Sequence, residues 1–204
     1  MYKRQILKFK HDYKNILISI EGYIETEDLS GLKEYFYDSI KATGTIFDQE
    51  IFKMSSIANI RIREIKSIVL SKLYMAHQQG ITVRINVPNR VEKIPMPTIV
   101  LVRMLGIILD NAIEASNQLD NPEIEMAIIS EEKSCTFILI NNCSPDIPRL
   151  HDLKKPNFTT KPGNSGIGLA NLDELVQRNE NVYLDTKIDN DKFIQIITIC
   201  EVEG

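Results

Sequence analysis

Chemistry in this chain starts with the stretch Lys8-Phe9-Lys10-His11-Asp12-Tyr13-Lys14-Asn15-Ile16, where a histidine sits in a helical pattern with an acid directly after it and an amide four residues on. On a helix, His11 and Asn15 lie one turn apart on the same face. A neutral imidazole nitrogen attacks a phosphoryl group when its other N–H is held by an acceptor, and Asp12 is the nearest carboxylate to fix that tautomer and take the proton. Lys10 and Lys14 flank the pair and favour an incoming anion. By itself the stretch reads equally as a solvated helix surface. What raises it above that is the second half of the chain, which carries the parts of a nucleotide site.

Three elements there suit a phosphate ligand. The first is Leu109-Asp110-Asn111-Ala112-Ile113-Glu114-Ala115, inside the most apolar helical run of the sequence. Polar groups in such a helix are costly unless they hold something. Asn111 and Glu114, three residues apart, present an amide oxygen and a carboxylate on one face, ligands that suit Mg²⁺ bound with nucleotide phosphates. The alternative is that Asp110 and Glu114 mark the solvent edge of an amphipathic helix. The second element is Gly163-Asn164-Ser165-Gly166-Ile167-Gly168-Leu169, a glycine-rich turn opening a helix, where backbone N–H groups approach phosphate oxygens. It lacks the GK[ST] ending of a Walker A loop and does not follow a strand as a dinucleotide fingerprint does. The third is Phe158-Thr159-Thr160-Lys161, which places a lysine and two hydroxyls on the same loop.

Composition narrows the class. Among 204 residues, 43% hydrophobic and 25% charged, a sizeable core is possible in one or two soluble domains. A net charge of −4 gives no nucleic-acid footprint. Cys135, Cys143 and Cys200 have no metal-ligand spacing, so neither zinc nor a disulfide is expected and a reducing compartment is. The longest apolar run, Ile99 to Ala115, is broken by Arg103, Asp110, Asn111 and Glu114, which argues against a membrane span. No signal peptide is read at the start, and a cytoplasmic chain is expected.

The elements that must position these groups follow from periodicity. Helices are predicted over residues 2–25, 29–42 and 46–79, with Thr26-Glu27-Asp28 and Gly44-Thr45 as breaks and Gly80 as the final cap. Their one-sided apolar stripes predict an antiparallel helical hairpin that pairs with a second copy as a dimeric four-helix bundle. Beyond Gly80 the spacing predicts a strand over 81–87, a helix from Thr98 to about Leu119, and a strand hairpin 124–130 and 135–140. An irregular loop over 141–165, a helix over 169–178 and strands over 182–185 and 193–199 complete it. The expected fold class is therefore multidomain: an α domain, residues 1–80, followed by an α+β domain, residues 81–204, with a mixed sheet covered by helices on one face.

This order of elements resembles the cytoplasmic region of a sensor histidine kinase, most closely the AgrC/ComD peptide quorum-sensing type of the GHKL superfamily, over nearly the whole chain. His11-Asp12 with Asn15 resembles the phosphoacceptor motif. That implies phosphorylation of His11, Asp12 as general base, and Asn15 positioning water or the receiver's phosphoryl group. Leu109 to Ala115 resembles the N box, which implies Asn111 as the Mg²⁺ ligand with Glu114 beside it. Phe158 to Lys161 resembles the F box, with Phe158, Thr160 and Lys161 at the nucleotide, and Gly166-Ile167-Gly168-Leu169 the second glycine box. The implied fold of residues 81–204 is the GHKL (Bergerat-type) α/β sandwich. ATP and Mg²⁺ are the implied cofactors, a homodimer and a response-regulator receiver the implied partners, and the cytoplasmic side of an inner or cell membrane receptor the implied place. Any membrane contact would run through a sensor region outside this chain.

Two departures from the family pattern stand out. The usual first glycine box, D-x-G-x-G, is here Asn141-Asn142-Cys143-Ser144-Pro145-Asp146. As a neutral acceptor, Asn141 is expected to hold the adenine amine on the order of tenfold more weakly than a carboxylate, a factor worth about 1.4 kcal/mol. The other is Ile107, four residues before Asn111, where many relatives carry a second polar residue. The rival readings are a relay phosphotransferase with a decayed nucleotide domain, a GHKL ATPase switch in which His11 is incidental, and a non-enzymatic helical dimerisation module with a degenerate binding domain.

Overall fold

Period-two burial dominates the second half of the molecule. In the computed structural model, which describes residues 18–35, 55–144, 146–148, 150–153 and 168–202, the chain forms two compact units, 1–46 and 47–204.

In the first unit, residues 18–25 are helical (α1) and Leu29–Tyr35 form α2. The expected break at Thr26-Glu27-Asp28 is present: Glu27 takes φ 54, and Asp28 Oδ1 accepts from Gly31 N at 2.8 Å. Asp28 thereby caps the start of α2. Ile18, Ile24 and Leu29 stand 53%, 59% and 66% exposed. Residues 2–17, 36–42 and 46–54 of the predicted hairpin lie outside the described residues.

In the second unit, the single helix expected over 46–79 is interrupted where the structure describes it. Ser55–Asn59 is a 3₁₀ turn, and only Arg63–Gln78 (α3) is α-helical. Between them Ile60 bridges to Val91 as a parallel pair, with Arg61 N to Val91 O and Val91 N to Asn59 O both at 2.9 Å. The Arg61 N–H and the Asn59 carbonyl, a donor and an acceptor that a continuous helix would have used, are committed to that bridge. Helix α3 closes at Gly80, φ 80, with Ile81 N to Ala76 O at 3.1 Å and Gly80 N to His77 O at 2.9 Å. Those two bonds and the left-handed glycine make a Schellman cap.

Five strands follow: β1 Thr82–Asn86, β2 Glu123–Ser130, β3 Ser134–Asn142, β4 Val182–Asp189 and β5 Lys192–Cys200. Their order is β1-β2-β3-β5-β4, antiparallel except for the parallel β1–β2 pair. A parallel pair needs a crossover, and Thr98–Ser116 (α4) supplies it, so the sheet is mixed as expected. Leu150–Leu153 (α5) and Gly168–Gln177 (α6) complete the set. The former is a helical turn within the loop expected to be irregular. One sheet face, with Ile124, Ile128, Phe137, Ile197 and Ile199, is buried under α3, α4 and Leu172 of α6. Helix α3, residues 63–78, thus contributes Ile65, Val69, Leu73 and Ala76 to this core. All three cysteines are free; Cys135 is buried, and its thiol is pushed up to about 12 by burial.

A Cβ at Gly80 would meet nothing within 4 Å, so its role is conformational and not one of space. Gly80→Ala is expected to lower the stability of the folded chain by about 1–2 kcal/mol, the cost of a left-handed L-residue, read from urea unfolding.

Candidate functional site

Helix α4 carries a buried stripe, Leu101, Met104, Leu105, Ile108, Leu109, Ala112, Ile113 and Ser116, laid across the sheet. Its polar residues sort by their angle to that stripe. Asp110 meets Lys72 of α3 at 2.5 Å and ties the two helices together. Glu114 points outward and is exposed, the solvent-edge position. Asn111 is half-buried and turns toward Gly168 of α6: among the described residues its Nδ2 is enclosed without a hydrogen-bond partner. An unpaired buried donor costs about 1–3 kcal/mol, so its retention points to a ligand.

Helix α6 opens at Gly168 directly against that amide. A Cβ added at Gly168 would lie 3.2 Å from Asn111 Oδ1, closer than side chains ordinarily approach. Glycine therefore lets the helix start and the amide share a narrow space, with Leu169 and Leu172 packed on the core behind it. Asn111 thus offers an oxygen beside a helix N-terminus. Among the described residues no cluster of three or more His, Cys, Asp or Glu could hold a metal alone. A hard divalent ion here fits only when most of its oxygens come from phosphates and water, as Mg²⁺ with a nucleotide does. Four residues before Asn111, Ile107 packs against the core.

Asn141 and Asn142 end β3; the loop expected to begin at Asn141 is still strand there. Asn141 is 3% exposed on the inner face, opposite Ile124 and Phe193. Its Nδ2 donates to the Asn142 carbonyl at 2.8 Å. Asn142 faces the other way: its Oδ1 accepts from Glu123 N at 2.9 Å and its Nδ2 donates to Asn121 O at 2.6 Å. The buried Cys143 follows, with its N–H on Asp191 O at 2.8 Å and its thiol pushed up by burial and the Asp191 charge, against an opposing Lys192. Asp146 is exposed, and its backbone N–H donates to Ser144 Oγ at 3.3 Å. The remaining candidates, His11, Asp12, Asn15, Phe158, Thr160, Lys161 and Gly166, lie outside the described residues.

Residue types alone had not singled out Lys72, Gln195 or Thr186. Gln195 and Thr186 face each other across β5 and β4, 2% and 7% exposed, with Gln195 Nε2 and Thr186 Oγ1 both unpartnered among the described residues. A signal existed: Gln195 is the lone amide at an inward position between Phe193 and Ile197, on the same face as Asn141. It is one step along β5 from Phe193, the cross-strand partner of Asn141.

Solved structures share this architecture. The nucleotide-free catalytic domain of histidine kinase ThkA matches with TM-score 0.58 at 18% identity, over 68% of this chain and 91% of that one. Histidine kinase AdeS of Acinetobacter baumannii matches with TM-score 0.54 at 14% identity, over 95% and 98%. ThkA in complex with the response regulator protein TrrA matches with TM-score 0.57 at 15% identity, over 98% of this chain and 61% of that one. At these identities the likeness is one of fold. No curated protein matches the chain. The GHKL domain family matches residues 96–200, just over half of the 204 residues and the whole span from α4 to β5, and the chain belongs to that family.

Proposed function

We propose that this chain is a sensor histidine kinase of a two-component system that binds Mg-ATP in its GHKL domain and phosphorylates its own His11. The observation that carries the reading is the meeting of Asn111 with Gly168. It sets an unsatisfied amide beside the glycine start of α6, on a fold shared with histidine kinase catalytic domains. Asn111 Oδ1 would hold Mg²⁺, whose chemistry is to neutralise phosphate charge. Gly166 and Gly168 would let the α6 N-terminus approach the phosphates, with Lys161, Thr160 and Phe158 closing over them and Asn141 reading the base. His11 gives its proton to Asp12 as its nitrogen bonds the γ-phosphorus, and ADP leaves. As the P–N bond breaks, the phosphoryl group passes to a receiver aspartate, and in the separate dephosphorylation of that receiver Asn15 positions the water that releases phosphate.

Positioning supplies most of the rate in such a transfer. The exposed Ile18, Ile24 and Leu29 support a homodimer through the N-terminal helices. A response-regulator partner is supported by ThkA, whose structure is known in complex with such a protein. Peptide quorum sensing rests on the sequence resemblance. The ATPase-switch reading is disfavoured because Ile107, packed on the core, occupies the place where those enzymes carry a water-activating carboxylate.

Incubation of the chain with Mg²⁺ and γ-labelled ATP is expected to give acid-labile, base-stable label that is absent in His11→Gln and Asn111→Ala. Absence of label together with no ATP binding at millimolar nucleotide would sink the reading. Gly168→Ala provides a second check. Crowding of Asn111 by the added Cβ is expected to weaken Mg-ATP binding about tenfold, measured by titration beside the melting temperature of the free chain.

A further inference from the structure

On the outer face of the sheet, away from the helices, polar alternation breaks down. An antiparallel sheet with one face in water ordinarily reads apolar-in and polar-out, whereas Phe137-Ile138-Leu139-Ile140, Phe193-Ile194 and Ile196-Ile197 run apolar without a break. The inward members Phe137, Leu139 and Ile197 are buried in the core. The outward members are not. Ile138, Ile140, Ile194 and Ile196, with Ala127 and Ile129 of β2, are half-buried, and none belongs to that core or packs against it. Register gathers them: Ile138 pairs with Ile196 and Ile140 with Ile194 across β3 and β5, and Ala127 flanks Ile138 from β2. A continuous apolar patch within a polar rim marks an interaction surface.

We infer that this outer face joins two copies of the chain, sheet on sheet, about a two-fold axis that runs along the strands between β3 and β5. The placement of charge selects the occupant. In the row through Ile140 and Ile194, Lys187 of β4 stands at one side and Glu125 of β2 at the other, each one strand beyond the isoleucines. The axis lays β4 of one copy over β2 of the other, and β3 over β5. Lys187 then meets Glu125 of the second copy, and the symmetry makes that contact twice. Ile140 meets Ile194, Ile138 meets Ile196, and Tyr183, 60% exposed, meets Ile129. A two-fold contact requires such self-complementarity. An axis across the strands does worse, setting Glu125 on Ala127, on Ile129 or on its own counterpart, where its charge is uncompensated or repelled. Lys187 makes no ion pair among the described residues, and Glu125 shares only the exposed Arg84, at 3.3 Å. Four strands about 4.8 Å apart and some 20 Å long give a footprint of roughly 400 Å², below the ~800 Å² that each partner buries in a standard interface. The contact is therefore a weak one that forms where copies are concentrated.

Sedimentation equilibrium of the full chain, carried to hundreds of micromolar, tests this with Ile196→Glu, Lys187→Glu and the charge swap Lys187→Glu/Glu125→Lys beside wild type, and circular dichroism of each. Wild type is expected to show a concentration-dependent step that doubles the mass of whatever species it forms when dilute. In Ile196→Glu that step is expected to be absent over the same range. Lys187→Glu is expected to weaken the step at least fivefold, and the charge swap to regain most of the loss. Lys187 is exposed on the edge strand, so its variants read the contact even if Ile196→Glu fails to fold. Mg-ATP affinity of dilute Lys187→Glu is expected to match wild type, because Lys187 points away from the sheet face that the helices cover. A wild-type mass that stays constant over the range, leaving the face to a different partner, overturns the inference. So does a step that persists in folded Ile196→Glu, or a charge swap no better than Lys187→Glu.

Discussion

The structure of the second unit depends on burying one face of a five-stranded sheet beneath α4. That helix lays Leu101, Met104, Leu105, Ile108, Leu109, Ala112 and Ile113 against the sheet at β2 and β3, with α3 and Leu172 filling the flanks. Each fully buried side chain of this size contributes about 1.5–3 kcal/mol. An unpaired amide nitrogen at Asn111 costs about as much as one of them returns. The core therefore tolerates a polar group at the edge of its stripe, and that edge is where α6 begins. The rotation of α4 that buries the leucines also decides the places of Asp110, Asn111 and Glu114: an ion pair with Lys72, a half-buried amide against Gly168, and an exposed carboxylate.

Charge is used sparingly around the proposed nucleotide. Asp110, the carboxylate next to Asn111, is already engaged by Lys72. At the other motif the family's aspartate is an amide whose hydrogen bonds are internal. The described residues of the proposed site thus offer neutral oxygens and helix-start N–H groups. Such groups distinguish ligands by donor and acceptor pattern more than by net attraction.

The two glycines illustrate how one residue type serves different needs. Gly80 takes a left-handed conformation with open space around it, and any L-residue there would be strained regardless of fit. At Gly168 the need is proximity, because Asn111 stands where a side chain would begin. A sequence shows both as helix punctuation and does not tell the two apart. The buried pair Gln195 and Thr186 shows the same limit: strand alternation assigns each to the inner face, but that they face each other follows only from the β4–β5 register.

Much of this protein is legible in its residues taken in order. Strand alternation gave the five strands, and the continuous apolar character of residues 98–116 gave α4. The spacing of Asn111, the glycine run and the strand-end asparagines gave the family resemblance. These are local properties, set by side-chain period, turn chemistry and caps. The break at Ile60 was not local. Its cause is the distant Val91, whose backbone takes the hydrogen bonds a helix would have kept. Nor was the pinning of the strand end at Asn142 legible, because it depends on Asn121 and Glu123 across the β2–β3 pair. The sequence by itself determined which elements form and which residue types are offered to a ligand. The tertiary structure alone decided which of those groups remain unpaired, since a hydrogen bond is spent or left open only once partners far apart in the chain have been brought together.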